Sequence, residues 1–170
     1  MDEASLRSDP GRRRVLNTPV ITYTDRGKKY AVRSMSLFGF MSLNGSDVVM
    51  ASQSAKTFDV VSFLDVVRGQ NGSIKETPIL IVLDNATIHK ARLTRTRAEE
   101  LGIFLVPLPP YSPDLNPIEF PWKDMKRELA AKLNFDAMVD ASGPTTLRLF
   151  SERRLSYTSY WTEKFICDGS

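Results

Sequence analysis

Three carboxylates stand where metal-dependent chemistry could be organised. Asp84 is the first polar residue after the apolar run Ile79–Leu83, so we expect it at the carboxyl end of a central strand, where open α/β sheets bind ligands. Glu119 lies in the first turn of a predicted helix after a proline-rich segment, and Asp2 lies in a strand-like segment at the chain start. Converging carboxylates repel one another unless cations neutralise them, and their hard oxygens favour Mg²⁺ or Mn²⁺. Two such ions about 3.5–4 Å apart can activate a water or a 3′-hydroxyl for attack on a phosphodiester.

The elements that would position these carboxylates begin with antiparallel strands. Four segments have the composition of strands: Val20–Thr24, Tyr30–Arg33, Met35–Phe40 and Asp47–Ala51. Turn signals between them, at residues 25–28 and 44–45, suit antiparallel hairpins. A helix capped by Thr57 and stopped near Gly69 is then predicted, because apolar residues recur at i, i+3, i+4 and i+7.

The second half of the chain predicts strands that alternate with helices. The apolar runs 78–83 and 103–106 are typical of strands buried on both faces, and a basic helix at about 88–101, closed by Gly102, separates them. That order implies a parallel pair joined by a crossover helix. A last core helix is predicted from about Pro117 to Leu133, and its buried face would consist of Ile118, Trp122, Met125 and Leu129. The fold class is therefore α/β, with a mixed sheet.

Length and composition bound the possible functions. The 170 residues carry a net charge of +3, with 42% hydrophobic and 25% charged residues, which suits a globular core at 1–135 with a helical tail at 136–170. One cysteine and one histidine exclude a disulfide scaffold and cannot supply the usual four zinc ligands. No apolar run approaches the ~20 residues that span a bilayer, and no signal sequence opens the chain. We therefore expect a cytoplasmic protein without a membrane partner, whose mild positive charge permits binding to nucleic acid.

Two motifs surround the second and third carboxylates. The first reads LDNATIH over residues 83–89, and the second reads PPYSPDLNPIE over residues 109–119 and is followed by Trp122. Together they resemble the catalytic core of mariner-like insertion-sequence transposases, which are DDE superfamily endonucleases with a ribonuclease H-like fold. The 34 residues between Asp84 and Glu119 are a hallmark of that family. The resemblance covers roughly residues 1–135.

The resemblance implies a site, a cofactor and partners. In that family a triad of two Asp and one Glu or Asp binds two divalent metals, and the first Asp usually belongs to an Asp-Glu pair, which Asp2-Glu3 matches. Asp2, Asp84 and Glu119 are accordingly the expected catalytic residues and ligands of two Mg²⁺ or Mn²⁺ ions. The implied partners are transposon ends and target DNA, with a homodimer or a separate helix-turn-helix half, on the nucleoid when bound to DNA. Family members carry apolar residues and a helix-turn-helix region before the first Asp, so we expect a truncated or split reading frame.

Each carboxylate has another explanation. Asp84 could merely cap the following helix, and Asp2 alone would be a solvated terminal charge. Glu119 could complete a capping box with Asn116 as N-cap. The spacing and the string around Glu119 favour the catalytic interpretation. Pro121 leaves the start of this helix open, because it would kink a helix that begins at Pro117.

Further residues around the triad are candidates for supporting roles. Asn85 could orient Asp84 or cap a turn, and His89 could contact a phosphate, adjust the metal site or be an ordinary packing residue. Exposed cations on the helices that follow Asp84 and Glu119 could contact DNA phosphates or form only a solvated face. These cations are Lys90, Arg92, Arg95, Lys123 and Lys126.

The sequence thus predicts metal-dependent cleavage and transfer of DNA strands by a transposase catalytic domain. Two rivals stay open: a structure-specific nuclease of the same fold, and a truncated remnant that only binds DNA or inhibits a full-length transposase.

Overall fold

The computed structural model describes residues 1–8, 33–72, 77–110, 112, 115–130, 132 and 134–165. The predicted strand 20–24, residues 30–32 of the next one and the turn at 25–28 lie outside these ranges. Within them the fold is α/β, with an antiparallel ladder first and a parallel ladder after it, as predicted. No helix among the described residues is both long and apolar enough to cross a membrane.

The antiparallel ladder consists of β1 (Asp2–Arg7), β2 (Ser34–Phe40) and β3 (Val48–Ser52), in that order. Asp2 lies opposite Gly39, so the first residue of β1 is placed near the end of β2. The turn between β2 and β3 is closed by Ser42, whose hydroxyl accepts the N–H of Gly45 at 2.7 Å. The predicted hairpin at residues 44–45 is therefore confirmed.

The parallel ladder pairs β4 (Ile79–Leu83) with β5 (Ile103–Pro107), and this pair is also as predicted. The connection contains two helices, α2 (Thr87–Lys90) and α3 (Arg92–Glu100), where one was predicted. The break falls at Ala91, whose ψ of 142° is extended and cannot continue a helix.

Gly102 ends the crossover between α3 and β5. Its φ of 63° lies in the left-handed region, which a glycine adopts without the steric penalty of a Cβ. The sequence therefore placed the end of this connection correctly.

The two ladders meet at the chain start. The amino group of Met1 donates to the carbonyl of Val82 at 2.8 Å, which sets the beginning of β1 beside β4. The two ladders are separate hydrogen-bonded sheets, and this bond links the start of β1 to β4.

Helix α1 (Thr57–Gln70) covers one face of the sheet. Its N-cap is Lys56 rather than the predicted Thr57, because the Asp59 carboxylate accepts the Lys56 N–H at 2.8 Å. It also passes the predicted stop at Gly69, and its C-cap is Asn71. The predicted apolar stripe is buried, and it consists of Val60, Phe63, Leu64 and Val67.

Helices α4 (Glu119–Leu129) and α5 (Phe135–Phe165) cover the other face. The helix predicted at 117–133 is shorter at both ends, yet its predicted apolar face is buried against β1 and β2. Pro121 is the third helical residue, where a backbone N–H has no intrahelical acceptor, so the proline removes no helix bond.

The long α5 packs on α4. The rings of Trp122 and Phe150 have centroids 6.1 Å apart, and Leu149 and Phe150 are fully buried in the same apolar cluster. Of the residues predicted as a tail, 136–165 are therefore helical, and 166–170 lie outside the described ranges. The proposed division into 1–135 and 136–170 stays a prediction.

Gly39 allows α4 to lie close to the sheet. A Cβ on Gly39 would stand 2.6 Å from Cζ2 and 2.7 Å from Cη2 of Trp122, which is buried. We expect Gly39→Ala to lower the free energy of unfolding by about 1–3 kcal/mol, since overpacking forces the indole and helix outward. Urea unfolding measures this. Gly69→Ala is the matched control because open space surrounds Gly69, and it should leave stability unchanged or raise it by up to about 1 kcal/mol. Equal losses from both variants would contradict the expectation.

Candidate active site

Asp84 lies directly after β4, at the carboxyl edge of the parallel ladder. Its Oδ1 accepts the N–H of Ala86 at 2.9 Å and faces Nδ1 of His89 at 2.7 Å. The first contact closes a turn ahead of α2, whose N-cap is Ala86 without a side-chain cap, so Asp84 does not cap this helix. Both contacts use the same oxygen, and within the described residues Oδ2 has no hydrogen-bond partner. About half of the side chain (49%) is exposed, which leaves Oδ2 available to a ligand.

Asn85 ties together the ends of the two parallel strands. Its side-chain amide donates to the carbonyl of Leu108, just beyond β5. Asn85 therefore fixes the loop that carries Asp84 against the loop that leads toward Glu119.

His89 is buried between two carboxylates. Its side chain has no exposed surface, and Nε2 lies 3.2 Å from Oε2 of Glu3 while Nδ1 faces Asp84. Burial disfavours the charged imidazolium, but the carboxylates of Glu3 and Asp84 outweigh it and raise the pKa of His89 above its usual value. The ring therefore connects β1 to the end of β4.

Glu3 is the member of this group to which the sequence gave no separate role. Successive side chains of a strand point to opposite faces, so Glu3 lies on the helix α2 side while Asp2 lies on the α4 side. The alternation of side-chain direction along β1 is the sequence signal that could have assigned Asp2 and Glu3 to opposite faces of the sheet.

Glu119 is the first residue of α4 and is exposed. The capping box is absent: the N-cap is Ile118, without a side-chain cap, and the N–H of Glu119 donates to the backbone carbonyl of Asn116 at 3.1 Å. Glu119 and Asp84 line one cleft of about 220 Å³. Its other lining residues are Asn85, Leu108, Pro109, Ser112 and Asn116.

Asp2 is buried, with 6% of its surface exposed. Burial, and next the negative charge of the nearby Glu119, raise the pKa of Asp2 to about 7. Asp2 is not part of the cleft lining, but this repulsion requires that it lie near Glu119. The structure therefore brings Asp84 and Glu119 to one cleft and buries Asp2 within electrostatic reach of Glu119.

Asn116, which the sequence suggested only as a helix N-cap, is a further residue of the cleft. It is 3% exposed, lines the cleft, and its Nδ2 has no hydrogen-bond partner among the described residues. A buried donor without a partner is costly. It therefore adds a free polar group to the wall of the cleft.

The donor set suits a hard divalent cation. Clustered carboxylates, one of them holding its proton to about pH 7, are the groups that Mg²⁺ or Mn²⁺ would neutralise. In the described part of the chain, no group of three or more His, Cys, Asp or Glu side chains is arranged to hold an ion. The exposed side chains of Asp84 and Glu119 would have to turn toward Asp2.

The five predicted DNA-contacting cations are all exposed. Within the described residues none of them makes an ion pair, whereas Arg97 on the same helix as Arg92 and Arg95 is held by Asp65 at 2.6 Å. Lys123 and Lys126 follow Glu119 at i+4 and i+7, so they share its side of α4. These cations are free to meet phosphates.

Comparisons with known proteins bear on the family and the fold. The sequence matches the family of DDE superfamily endonucleases over residues 1–140. The fold is similar to that of the Mos1 strand transfer complex, with a TM-score of 0.57 and 18% identity over 94% of this chain and 52% of that chain. It is also similar to Mos1 transposase in a paired-end complex with the left transposon end, with a TM-score of 0.53, 18% identity and coverage of 94% and 54%. The chain thus spans about half the length of these structures. No match was found among curated proteins.

Proposed function

Because the chain belongs to the DDE superfamily endonucleases, we propose that it is the catalytic domain of a mariner-like transposase that cleaves and transfers DNA strands with divalent metal ions. One observation carries the proposal. Asp84 and Glu119, separated by 34 residues, line the same cleft, and the charge of Glu119 acts on the buried Asp2. A structural carboxylate pair would be expected to have cationic partners instead.

The metal ligands in this proposal are Asp2, Asp84 and Glu119, and the ions are two Mg²⁺ or Mn²⁺. When bound, the ions would activate a water or a 3′-hydroxyl and stabilise the leaving oxygen of the phosphodiester.

The other residues of the site hold these ligands in place. The Ala86 N–H and His89 occupy Oδ1 of Asp84 and so orient Oδ2 outward. Glu3 keeps the His89 ring in position from the other side. Asp2 must release its proton to become a ligand, so cation binding should be coupled to proton release.

DNA is the proposed substrate and partner. The two Mos1 structures are a strand transfer complex and a complex with a transposon end, and the exposed cations lie on α2, α3 and α4, the helices that follow Asp84 and Glu119 in the chain. A homodimer, or pairing with a separate helix-turn-helix half, is part of the same proposal, as is a catalytic core at residues 1–135.

The test of the activity uses the purified chain on supercoiled plasmid and on linear DNA that carries terminal inverted repeats. We expect nicking in Mg²⁺ or Mn²⁺ that EDTA abolishes, and strand-transfer products from the repeat-bearing DNA. Nicking without transfer would favour the nuclease rival, and neither product would favour the inactive remnant.

Metal binding should be visible without any reaction. A ligand that binds only the folded state at 100 times its Kd raises the free energy of unfolding by about 2.7 kcal/mol. We therefore expect saturating Mn²⁺ to raise the free energy of unfolding, measured in urea, by about 2.7 kcal/mol. Glu119→Gln should remove this increase. Asp140→Asn, at an exposed site on α5, is the control and should keep it. An equal response of both variants would contradict the assigned ligands.

Arg92 and Arg95 should contribute to DNA affinity through phosphates. Each phosphate contact contributes about 0.9 to the slope of log K against log salt. The double variant Arg92→Gln/Arg95→Gln should therefore lose close to 2 from that slope, which corresponds to a loss of affinity of about 60-fold at 100 mM salt where parent and variant bind equally at 1 M salt. Fluorescence anisotropy with a labelled duplex measures both. Arg7→Gln/Lys56→Gln removes two other exposed cations and should change neither. If the two double variants lost the same slope and affinity, the effect would be due to net charge and not to phosphate contacts of Arg92 and Arg95.

A further inference from the structure

Asn116 lies on the wall of the cleft that Asp84 and Glu119 share. Only 3% of its surface is exposed, and it precedes Glu119 by three residues in the turn that leads into α4. Within the described residues, its Nδ2 is buried and has no hydrogen-bond partner. An unpaired buried donor costs free energy, so a folded protein that keeps one calls for an explanation.

The turn that carries Asn116 is held by contacts that do not use its side chain. The backbone carbonyl of Asn116 accepts the N–H of Glu119 at 3.1 Å. Two residues further on, Cδ1 of Ile118 lies so close to the sheet that a Cβ on Gly39 would stand 3.3 Å from it, and Gly39 is the strand partner of Asp2. Segment 116–119 is thus fixed over the start of β1, and the side-chain amide has no part in the described contacts that fix it.

The cleft contains few other side chains that could donate a hydrogen bond to a ligand. Its two acids only accept hydrogen bonds when they are ionised, and two further lining residues are apolar. The amide of Asn85 already donates to the carbonyl of Leu108, and the hydroxyl of Ser112 donates to the carbonyl of Pro110 at 3.3 Å. Among the described residues that line the cleft, Asn116 therefore has the side-chain donor without an acceptor.

A neutral donor beside carboxylates suits a phosphodiester. The non-bridging oxygens of a phosphodiester accept hydrogen bonds, and they take on more negative charge as phosphorus is attacked. A lysine or arginine at this place would pair with the acids and compete with the cations, whereas an amide does neither. The terminal torsion of an asparagine is soft, so the amide can turn toward an acceptor that enters the cleft.

We propose that Asn116 is a catalytic residue whose Nδ2 donates a hydrogen bond to a non-bridging oxygen of the phosphodiester that is cut. The bond strengthens as the attacking oxygen joins phosphorus and the bond from phosphorus to the leaving 3′-oxygen breaks. Asn116 itself forms no covalent bond and exchanges no proton. The inference rests on the proposed function, because it requires a phosphodiester in the cleft.

The variant Asn116→Ala separates this role from a structural one. In metal-free buffer its urea midpoint should equal or exceed that of the parent, because an unpaired buried donor is removed. Single-turnover nicking of plasmid in Mg²⁺ should slow by about 100-fold, the order expected for loss of one donor to a reacting oxygen. Asn44→Ala, at an exposed site on the turn after β2, is the matched control and should change neither value. An Asn116→Ala rate close to that of the parent would overturn the proposal.

Sulfur in place of one non-bridging oxygen tests the contact itself, whatever the midpoint of the variant. Each phosphorothioate stereoisomer at the cleaved position is compared with the oxygen substrate. For the stereoisomer whose sulfur meets Nδ2, the parent and Asn44→Ala should be slowed, because sulfur is a weak acceptor. Asn116→Ala should be slowed less. Equal ratios of oxygen to sulfur rates in all three proteins, for both stereoisomers, would contradict the proposed hydrogen bond.

A binding spectrum distinguishes failure of this inference from failure of the proposed function. The side-chain NH₂ signal of Asn116, identified by its absence from Asn116→Ala, is followed by NMR as a short DNA duplex is added with Ca²⁺, which takes oxygen ligands. We expect this signal to shift and that of Asn44 to stay. If the parent nicks DNA while the Asn116 signal does not move, the inference fails and the proposed function stands. If there is neither nicking nor a shift, both fail.

Discussion

Asp84→Asn is expected to lower metal-dependent DNA cleavage by on the order of 1000-fold or more while DNA affinity stays within about twofold. Asparagine keeps the size of the side chain, and its carbonyl oxygen can still accept the N–H of Ala86 at the place of Oδ1. An amide NH₂ then replaces Oδ2, and it neither carries charge nor ligates a metal. The loss should therefore appear in the reaction and not in the fold.

Plasmid nicking under single-turnover conditions measures this loss, and anisotropy measures DNA binding. Asp140→Asn makes the same chemical change at an exposed site away from the cleft and should cleave at the parent rate. Asp84→Asn that still nicks DNA in Mg²⁺ at a rate close to that of the parent would remove Asp84 from the reaction and the proposed mechanism with it.

The second large effect is a fall in stability as pH rises from about 4 to 6 in metal-free buffer. The folded pKa of Asp2 is about 7, against 3.8 for an unperturbed aspartate, so the folded state binds the extra proton in this range. Stability falls with pH wherever the folded state holds more protons than the unfolded state. At 1.36 kcal/mol per pKa unit, the whole shift amounts to a loss of about 4 kcal/mol by pH 7.

Between pH 4 and 6 the effect of Asp2 on stability can be measured apart from that of His89. The pKa of His89 is raised from an ordinary 6.5, so its own contribution is lost only as pH rises above that value. Asp2→Asn should remove most of the slope between pH 4 and 6, and Asp140→Asn should leave it. Urea unfolding at half-unit pH steps provides the measurement, and parallel curves for Asp2→Asn and the parent would refute the role of this carboxyl.

Local pattern was sufficient to predict the parts of the fold that depend on burial alone. The apolar runs at 79–83 and 103–106 became β4 and β5, and the stripe that includes Trp122 and Met125 became the buried face of α4. Apolar residues in these segments recur with the period of a strand or a helix. They therefore predict the element without any knowledge of the segments that pack against it.

Features that depend on particular side-chain contacts could not be predicted in the same way. The break in the crossover helix at Ala91 accompanies a bond from the Thr94 hydroxyl to the carbonyl of Ile88 at 2.7 Å. The place of His89 depends on Glu3, which is far away in the chain, and the burial of Asp2 depends on α4. Motif spacing indicated which carboxylates to consider, but their pairings needed the fold.

Asp2 and Glu3 point to opposite faces of β1. The geometry of the candidate active site therefore depends on the register between β1 and β2. If β1 slid by one position along β2, every side chain would change sides, so Glu3 would turn toward α4 and Asp2 toward His89. A glutamate is one methylene longer than an aspartate, so the carboxyl of Glu3 would extend beyond the present position of the Asp2 carboxyl, and that of Asp2 would fall short of the present position of the Glu3 carboxyl. Insertion or deletion of a single amino acid in this strand should therefore disable the protein even if it still folds.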